Sequence, residues 1–197
     1  MAPLGVLFLA TSVLASTATA SIYPPPPAPL VRAPVVEVPD GDTIRVQRGA
    51  QRTLVRLIGV DCPELHESAK LDRDAARSRR SRAAIEAMGA RAAAFTRDHL
   101  LGKTVDLELG VEQRDRYGRL LAYVWLPGGV LFNGELLRAG YAQPLTIPPN
   151  VKYAPLFTDL AREARADGRG LWGKGLESLS RRGHARRPPG RWYHRRW

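Results

Sequence analysis

Thr43-Ile44-Arg45-Val46-Gln47-Arg48 alternates with period two, as a half-buried strand does. Gly49-Ala50-Gln51 is a short connection to Leu54-Val55-Arg56-Leu57-Ile58-Gly59-Val60, apolar except for Arg56. Val35-Val36-Glu37-Val38 precedes both, which predicts a meander of three strands over residues 35–61. Residues 65–80 are polar and Arg-rich, an exposed loop or a loose helical start. A helix follows to about Leu101: Ile85, Met88, Ala92 and Phe95 step by three and four, and Gly102 stands where a C-cap belongs. Thr104 to Leu109 alternates again, and Leu120 to Leu126 is a further strand closed by Pro127-Gly128-Gly129. Asn133 is placed to cap a short helix ending at Gly140, and Pro155 to open a last helix through about Ala166. The expectation is mainly β, of α+β class, with five strands and three helices and no internal repeat. Strands, then helix, then strands suits a small closed barrel with packed helices.

The chain has 197 residues, 44% hydrophobic and 25% charged, which is ordinary globular composition. Thirty basic residues, mostly Arg, against nineteen acidic ones give a net charge of +11. Such a balance points to a polyanionic partner. A single cysteine, Cys62, excludes a disulfide framework and a Cys-rich zinc site. Four scattered histidines make a transition-metal site the poorer fit and hard oxygen ligands the better one.

Residues 1–20 read as a secretory signal, with an apolar stretch from Leu4 to Ala15 and a small-x-small site at Ala18-Thr19-Ala20. The expectation is a secreted or periplasmic protein, or a membrane-anchored one if the signal is retained. Residues 21–34, with Pro24 to Pro27, read as an extended spacer and not a packed element. The folded domain is expected over residues 35–173. Residues 174–197 carry +7 of the +11. That tail reads either as a disordered arm that grips phosphates and stacks on bases or as a solubilising extension, with a surface-binding role also open.

Three clusters carry chemistry: Asp40-Gly41-Asp42-Thr43 at a strand mouth, Arg56 with Asp61-Cys62-Pro63-Glu64, and Asp115-Arg116-Tyr117-Gly118-Arg119. Each has a plain structural reading, as a turn, an ion pair or a solvated loop. A guanidinium in an apolar strand is costly unless a carboxylate or phosphate pairs it. Together, separate acids and separate arginines at strand ends are what metal-assisted phosphate chemistry requires. Carboxylates and backbone carbonyls suit Ca²⁺, Arg binds phosphate bidentately, and a Glu within reach of a water takes or orients its proton.

Residues 35–173 resemble the thermonuclease (staphylococcal nuclease-like) family. The resemblance rests on Asp40-Gly41-Asp42-Thr43, the run Val55 to Glu64, the run Asp115 to Tyr123, Asn133 with Leu136 to Gly140, and Gly170-Leu171-Trp172, in the family's order and at similar spacings. It implies a five-stranded OB-type barrel with three packed helices. It implies Ca²⁺ held by Asp42, Asp61 and the backbone carbonyl of Cys62, a catalytic pair Arg56 and Arg119, and Glu64 as general base or water-orienting group. Asp40 matches a nearby acid that does not touch the metal. The implied reaction is hydrolysis of DNA or RNA to 3′-phosphate products by a monomer, with no protein partner evident. The alternative is a non-catalytic nucleic-acid-binding OB module.

Three departures from the family pattern stand out. Cys62 replaces a Thr, which keeps a carbonyl but loses a hydroxyl, and as a thiol beside the expected site it is a target for modifying reagents. A longer Arg-rich segment, Lys70 to Arg82, precedes the main helix. The stretch Gln143 to Asn150 is shorter and lacks the family's two base-stacking Tyr, leaving Tyr141 and Tyr153 as candidate substitutes, while Tyr117 matches the Tyr beside the phosphate.

Overall fold

The computed structural model describes residues 21–65, 69–78 and 81–173. The signal and tail expectations fall on residues outside these. In chain order the elements are β1 (Val31–Asp40), β2 (Thr43–Arg48), β3 (Gln51–Leu57), β4 (Val60–Asp61), α1 (Ala69–Ser78), α2 (Arg82–Leu100), β5 (Thr104–Arg114), β6 (Leu120–Leu126), β7 (Val130–Leu131), α3 (Phe132–Arg138), β8 (Gln143–Pro144) and α4 (Ala154–Ala166), followed by a 3₁₀ turn at Gly170–Trp172.

The alternation at 43–48 becomes the β2–β3 hairpin, with Ile44 opposite Val55 and Val46 opposite Thr53. Strand order β3-β2-β1-β5-β6 is closed by a parallel pairing of β3 with β6, so the sheet has become a five-stranded barrel. Closure removes the exposed edges of an open sheet. Ile44, Val46, Val55, Leu57, Leu107 and Val124 are buried inside it. Burying each such side chain contributes roughly 1.5–3 kcal/mol before entropy is counted. Among the described residues no helix is long and apolar enough to cross a membrane.

The structure departs from the expected elements in three places. First, α1 is a helix, so the described residues hold four α-helices and not three. Leu71 is the one large apolar residue of α1 and its other apolar residues are alanines, so the sequence carries no strong apolar period of a helix. Second, β1 begins at Val31, pairing Val31 with Leu107 and Pro34 with Thr104, which takes residues 31–34 out of the spacer. Tyr23, also within that spacer, is buried and donates its hydroxyl hydrogen to Glu135 at 2.6 Å. Its ring sits where a Cβ on Gly134 would stand, so one aromatic anchors a Pro-rich run that otherwise reads as unpacked. Third, Asn133 is not the cap of α3. The capping position is Leu131, and Asn133 lies inside the helix, fully buried. It accepts from the Val124 amide and donates to the Ile58 carbonyl, both at 2.8 Å. This ties β6 to the turn between β3 and β4.

Candidate active site

Helix α2 positions the two acidic turns. Thr96 on its buried face donates to the Gly41 carbonyl at 2.6 Å. A side chain at Gly41 would collide with Ala92 and with Cys62, and one at Gly89 with the backbone of Glu64. Glycine is needed at both because the helix, the 40–43 turn and the 61–65 loop approach at backbone distance. The small residues Gly89, Ala92 and Thr96 along α2 therefore set where Asp42, Asp61 and Glu64 begin.

The carboxylates meet on Arg56. Its Nη1 is 3.0 Å from Oδ2 of Asp42 and its Nη2 is 3.2 Å from Oδ1 of Asp61. Nη1 also donates to the Val60 carbonyl at 2.9 Å. Asp42 is buried, and its Oδ2 accepts the Cys62 amide at 2.8 Å. Burial opposes the charge on Arg56, but Asp42 and then Asp61 outweigh it and hold its pKa above the usual value. The guanidinium, on a side chain 14% exposed, is thus fixed as a cation in the barrel wall.

Arg119 is held differently. Asp115 accepts the Arg119 Nε–H at 2.7 Å and, through Oδ1, the amides of Tyr117 and Arg119 at 2.9 and 3.0 Å. The turn presents Tyr117, 68% exposed, with the guanidinium carbons of Arg116 and Arg119 at 4.8 and 5.4 Å from its ring centre. Arg56 and Arg119 line one cleft of about 460 Å³, together with Arg116, Tyr117, Leu145 and Ile147.

The other expected site residues fall as follows. Glu64 follows Asp61 on the loop against α2, half-buried, and is outside the residues lining that cleft. Cys62 is 1% exposed, and its sulfur would touch a Cβ on Gly41, so the thiol is turned into the core and is no surface target. Burial pushes its pKa up, and the Asp42 charge adds to this. Asp40 accepts the Gly41 amide at 2.7 Å, which shapes the turn. Among the described residues no three His, Cys, Asp or Glu side chains gather as a metal cage. The donors at hand are two carboxylates converging on one guanidinium, with backbone carbonyls beside them. In kind they fit a hard divalent cation that also keeps water ligands.

Neither candidate stacking tyrosine reaches the cleft. Tyr141 packs its ring on Phe95 at 4.7 Å, and Tyr153 is buried with its hydroxyl donating to Glu108 at 2.9 Å. Tyr153 is a core residue among Tyr123, Trp125 and Phe157, and Tyr141 is half-buried against Phe95. The wall is instead aliphatic, Leu145 and Ile147, positioned by pairing of β8 with β4 and by a hydrogen bond from the Leu145 amide to the Gly59 carbonyl. Asn150 steadies the same wall by bonding both backbone groups of Glu112. Two apolar residues beside Pro148 and Pro149 in a polar-flanked loop were the available sequence sign of this surface.

Residues 54–174 match the family model described as staphylococcal nuclease homologue. The chain belongs to the staphylococcal nuclease family. A thermonuclease of Staphylococcus intermedius is 38% identical to it over 70% of this chain and 74% of its own length. A thermonuclease of Staphylococcus hyicus is 34% identical, over 70% and 73% respectively. An uncharacterized endonuclease of Escherichia coli is 32% identical over 70% and 74%. The closed five-stranded barrel of this staphylococcal nuclease homologue is the OB-type fold of the family.

Proposed function

We propose that the chain is an exported, calcium-dependent nuclease that cleaves DNA and RNA and leaves 3′-phosphate ends. Phosphodiester hydrolysis is the chemistry of its family, and the chain is an enzyme of that class. The finer reading rests on one observation above all: Arg56 and Arg119 line the same cleft while Asp42 and Asp61 gather on Arg56.

In this reading Asp42, Asp61 and the Cys62 carbonyl hold Ca²⁺, which supplies positive charge next to the scissile phosphate when bound. Arg56 and Arg119 donate to the non-bridging oxygens, where negative charge grows as the phosphorus becomes five-coordinate. Glu64 takes or orients the proton of the attacking water. The water oxygen bonds to phosphorus as its proton passes to Glu64, the bond to the 5′-oxygen breaks, and that oxygen takes up a proton from solvent water. Aliphatic Leu145 and Ile147 offer a base an apolar surface without stacking, which suits a nuclease with little base preference. All these groups come from one chain, so a monomer suffices. Export is supported by the apolar run and small-x-small site within residues 1–20.

The test is cleavage of single-stranded DNA by the full chain in Ca²⁺ and then in EGTA, with end-group analysis of the products. Cleavage in Ca²⁺ that stops in EGTA and yields 3′-phosphates is expected. Undiminished cleavage in EGTA, or 5′-phosphate ends, overturns the reading.

A further inference from the structure

A second hollow lies on the other side of the segment that carries Arg119. It is about 710 Å³ and is lined by Arg32, Arg48 and Arg114, with Gln47, Gln51 and Thr53 between them. No Asp or Glu stands among its described lining residues. Arg32 reaches Asp106 at 3.4 Å, and Arg114 donates to the Gly118 carbonyl at 2.7 Å. Three guanidinium groups with amide and hydroxyl donors between them are unlike the first cleft, where Glu112 and Asp115 offset the arginines.

The two hollows share a wall. Residues 112–119 turn Arg116, Tyr117 and Arg119 towards the first, and Arg114 towards the second. Strand β3 runs beside both: Gln51 and Thr53 line the second hollow and Arg56 the first. Thr53 and Arg56 are three residues apart, about 10 Å along a strand. Arg48 lies farther, opposite Gln51, which is five residues and about 17 Å along the strand from Arg56. A nucleic-acid strand whose phosphate sits between Arg56 and Arg119 therefore runs past Arg114 for a few nucleotides to reach it.

We infer that the Arg32–Arg48–Arg114 hollow is a second phosphate-binding site, which grips the backbone of the nucleic-acid strand flanking the bond to be cut. It rests on the reading of the Arg56–Arg119 cleft as the place of cleavage. The contacts are to phosphates, so they add affinity and hold the strand in line without reading sequence. The occupant is the substrate's own strand because the hollow is cationic and is bounded by the same 112–119 segment and the same strand β3 as the cleft.

The test replaces Arg32, Arg48 and Arg114 together by Gln, with a triple Lys variant alongside, in the full chain. Binding of a labelled 20-nucleotide single-stranded DNA is measured in EGTA by fluorescence anisotropy over a range of salt. The Gln variant should bind at least tenfold more weakly at low salt, and its log–log salt slope should flatten by about 2, as loss of three single-strand phosphate contacts requires. The Lys variant should keep most of the slope, and unchanged thermal transitions confirm that both variants are folded. In Ca²⁺, the ratio of kcat/KM for the 20-mer to that for a dinucleotide should shrink in the Gln variant. Parental affinity and slope in the folded Gln variant overturn the inference. A parent that binds the 20-mer through these arginines yet cleaves neither substrate overturns the nuclease reading instead and leaves the binding site standing.

Discussion

Arg56 and Arg119 line the same cleft, yet one is set in the barrel wall and the other in a surface turn. Arg56 is held by two carboxylates and backbone carbonyls, on a strand with neighbours on both sides. Arg119 depends on Asp115 four residues earlier and is twice as exposed, 30% against 14%. The first is an element of the fold that also lines the cleft. The second is a local device on a loop, where a change of side chain leaves the barrel intact. Under the proposed mechanism, chemistry and stability are therefore entangled at one arginine and separable at the other.

The comparison breaks most sharply with Arg56→Ala. Removing it leaves Asp42 buried without its cation, a change that typically costs about 3–5 kcal/mol, and nuclease activity should fall with it. Denaturant unfolding gives the stability, and a loss below about 1 kcal/mol would put Arg56 in the same class as Arg119. Arg119→Ala is expected to lower kcat by about 10²–10³, the scale seen when one donor to a developing oxyanion is removed. Its unfolding midpoint should stay close to that of the parent, and a large shift would mean that the turn is part of the core after all.

The smallest effect is on pH. Burial acts to raise the pKa of Asp115, but the bonds from the Arg119 side chain and from the Arg119 and Tyr117 amides outweigh it and hold the carboxyl below its usual value. A depressed native pKa adds stability that is present above the unfolded value and lost as pH falls through the native one. The turn should thus persist through mild acid and loosen only below the ordinary Asp range of about 3.9. Amide shifts of Tyr117 and Arg119 followed by NMR report the midpoint, and one at or above that range would show that the anchor is weak.

Much of this was legible where the signal is local. Asp40-Gly41-Asp42 is a turn before an alternating strand, and Arg56 interrupts an apolar run, so both marked themselves as needing partners. The expected spacing of the five main strands held for the same reason. What stayed hidden depends on residues distant in sequence. Asn133 reads as a cap until the Val124 amide and the Ile58 carbonyl are brought to it. Glu108 reads as a polar residue in a strand, yet it is buried and takes bonds from Trp125, Lys152 and Tyr153. Tyr153 looked available for a base because nothing nearby in sequence announces that Glu108 holds it. Residues 65–80 read equally as a loop or a loose helical start, and the anchor at Tyr23 does not show in the sequence, because polar or Pro-rich composition hides a single apolar contact.

The parallel pairing of β3 with β6 has a consequence for when the enzyme comes into being. Val55 meets Leu120 and Leu57 meets Ala122 only after the two helices and the long strand between them have been made. A ribosome-bound fragment that ends before β6 owns one side of the cleft and lacks the other. Cutting power therefore arrives late in synthesis, no sooner than the last stave of the barrel, and the cleft wall at Leu145 and Ile147 comes later still.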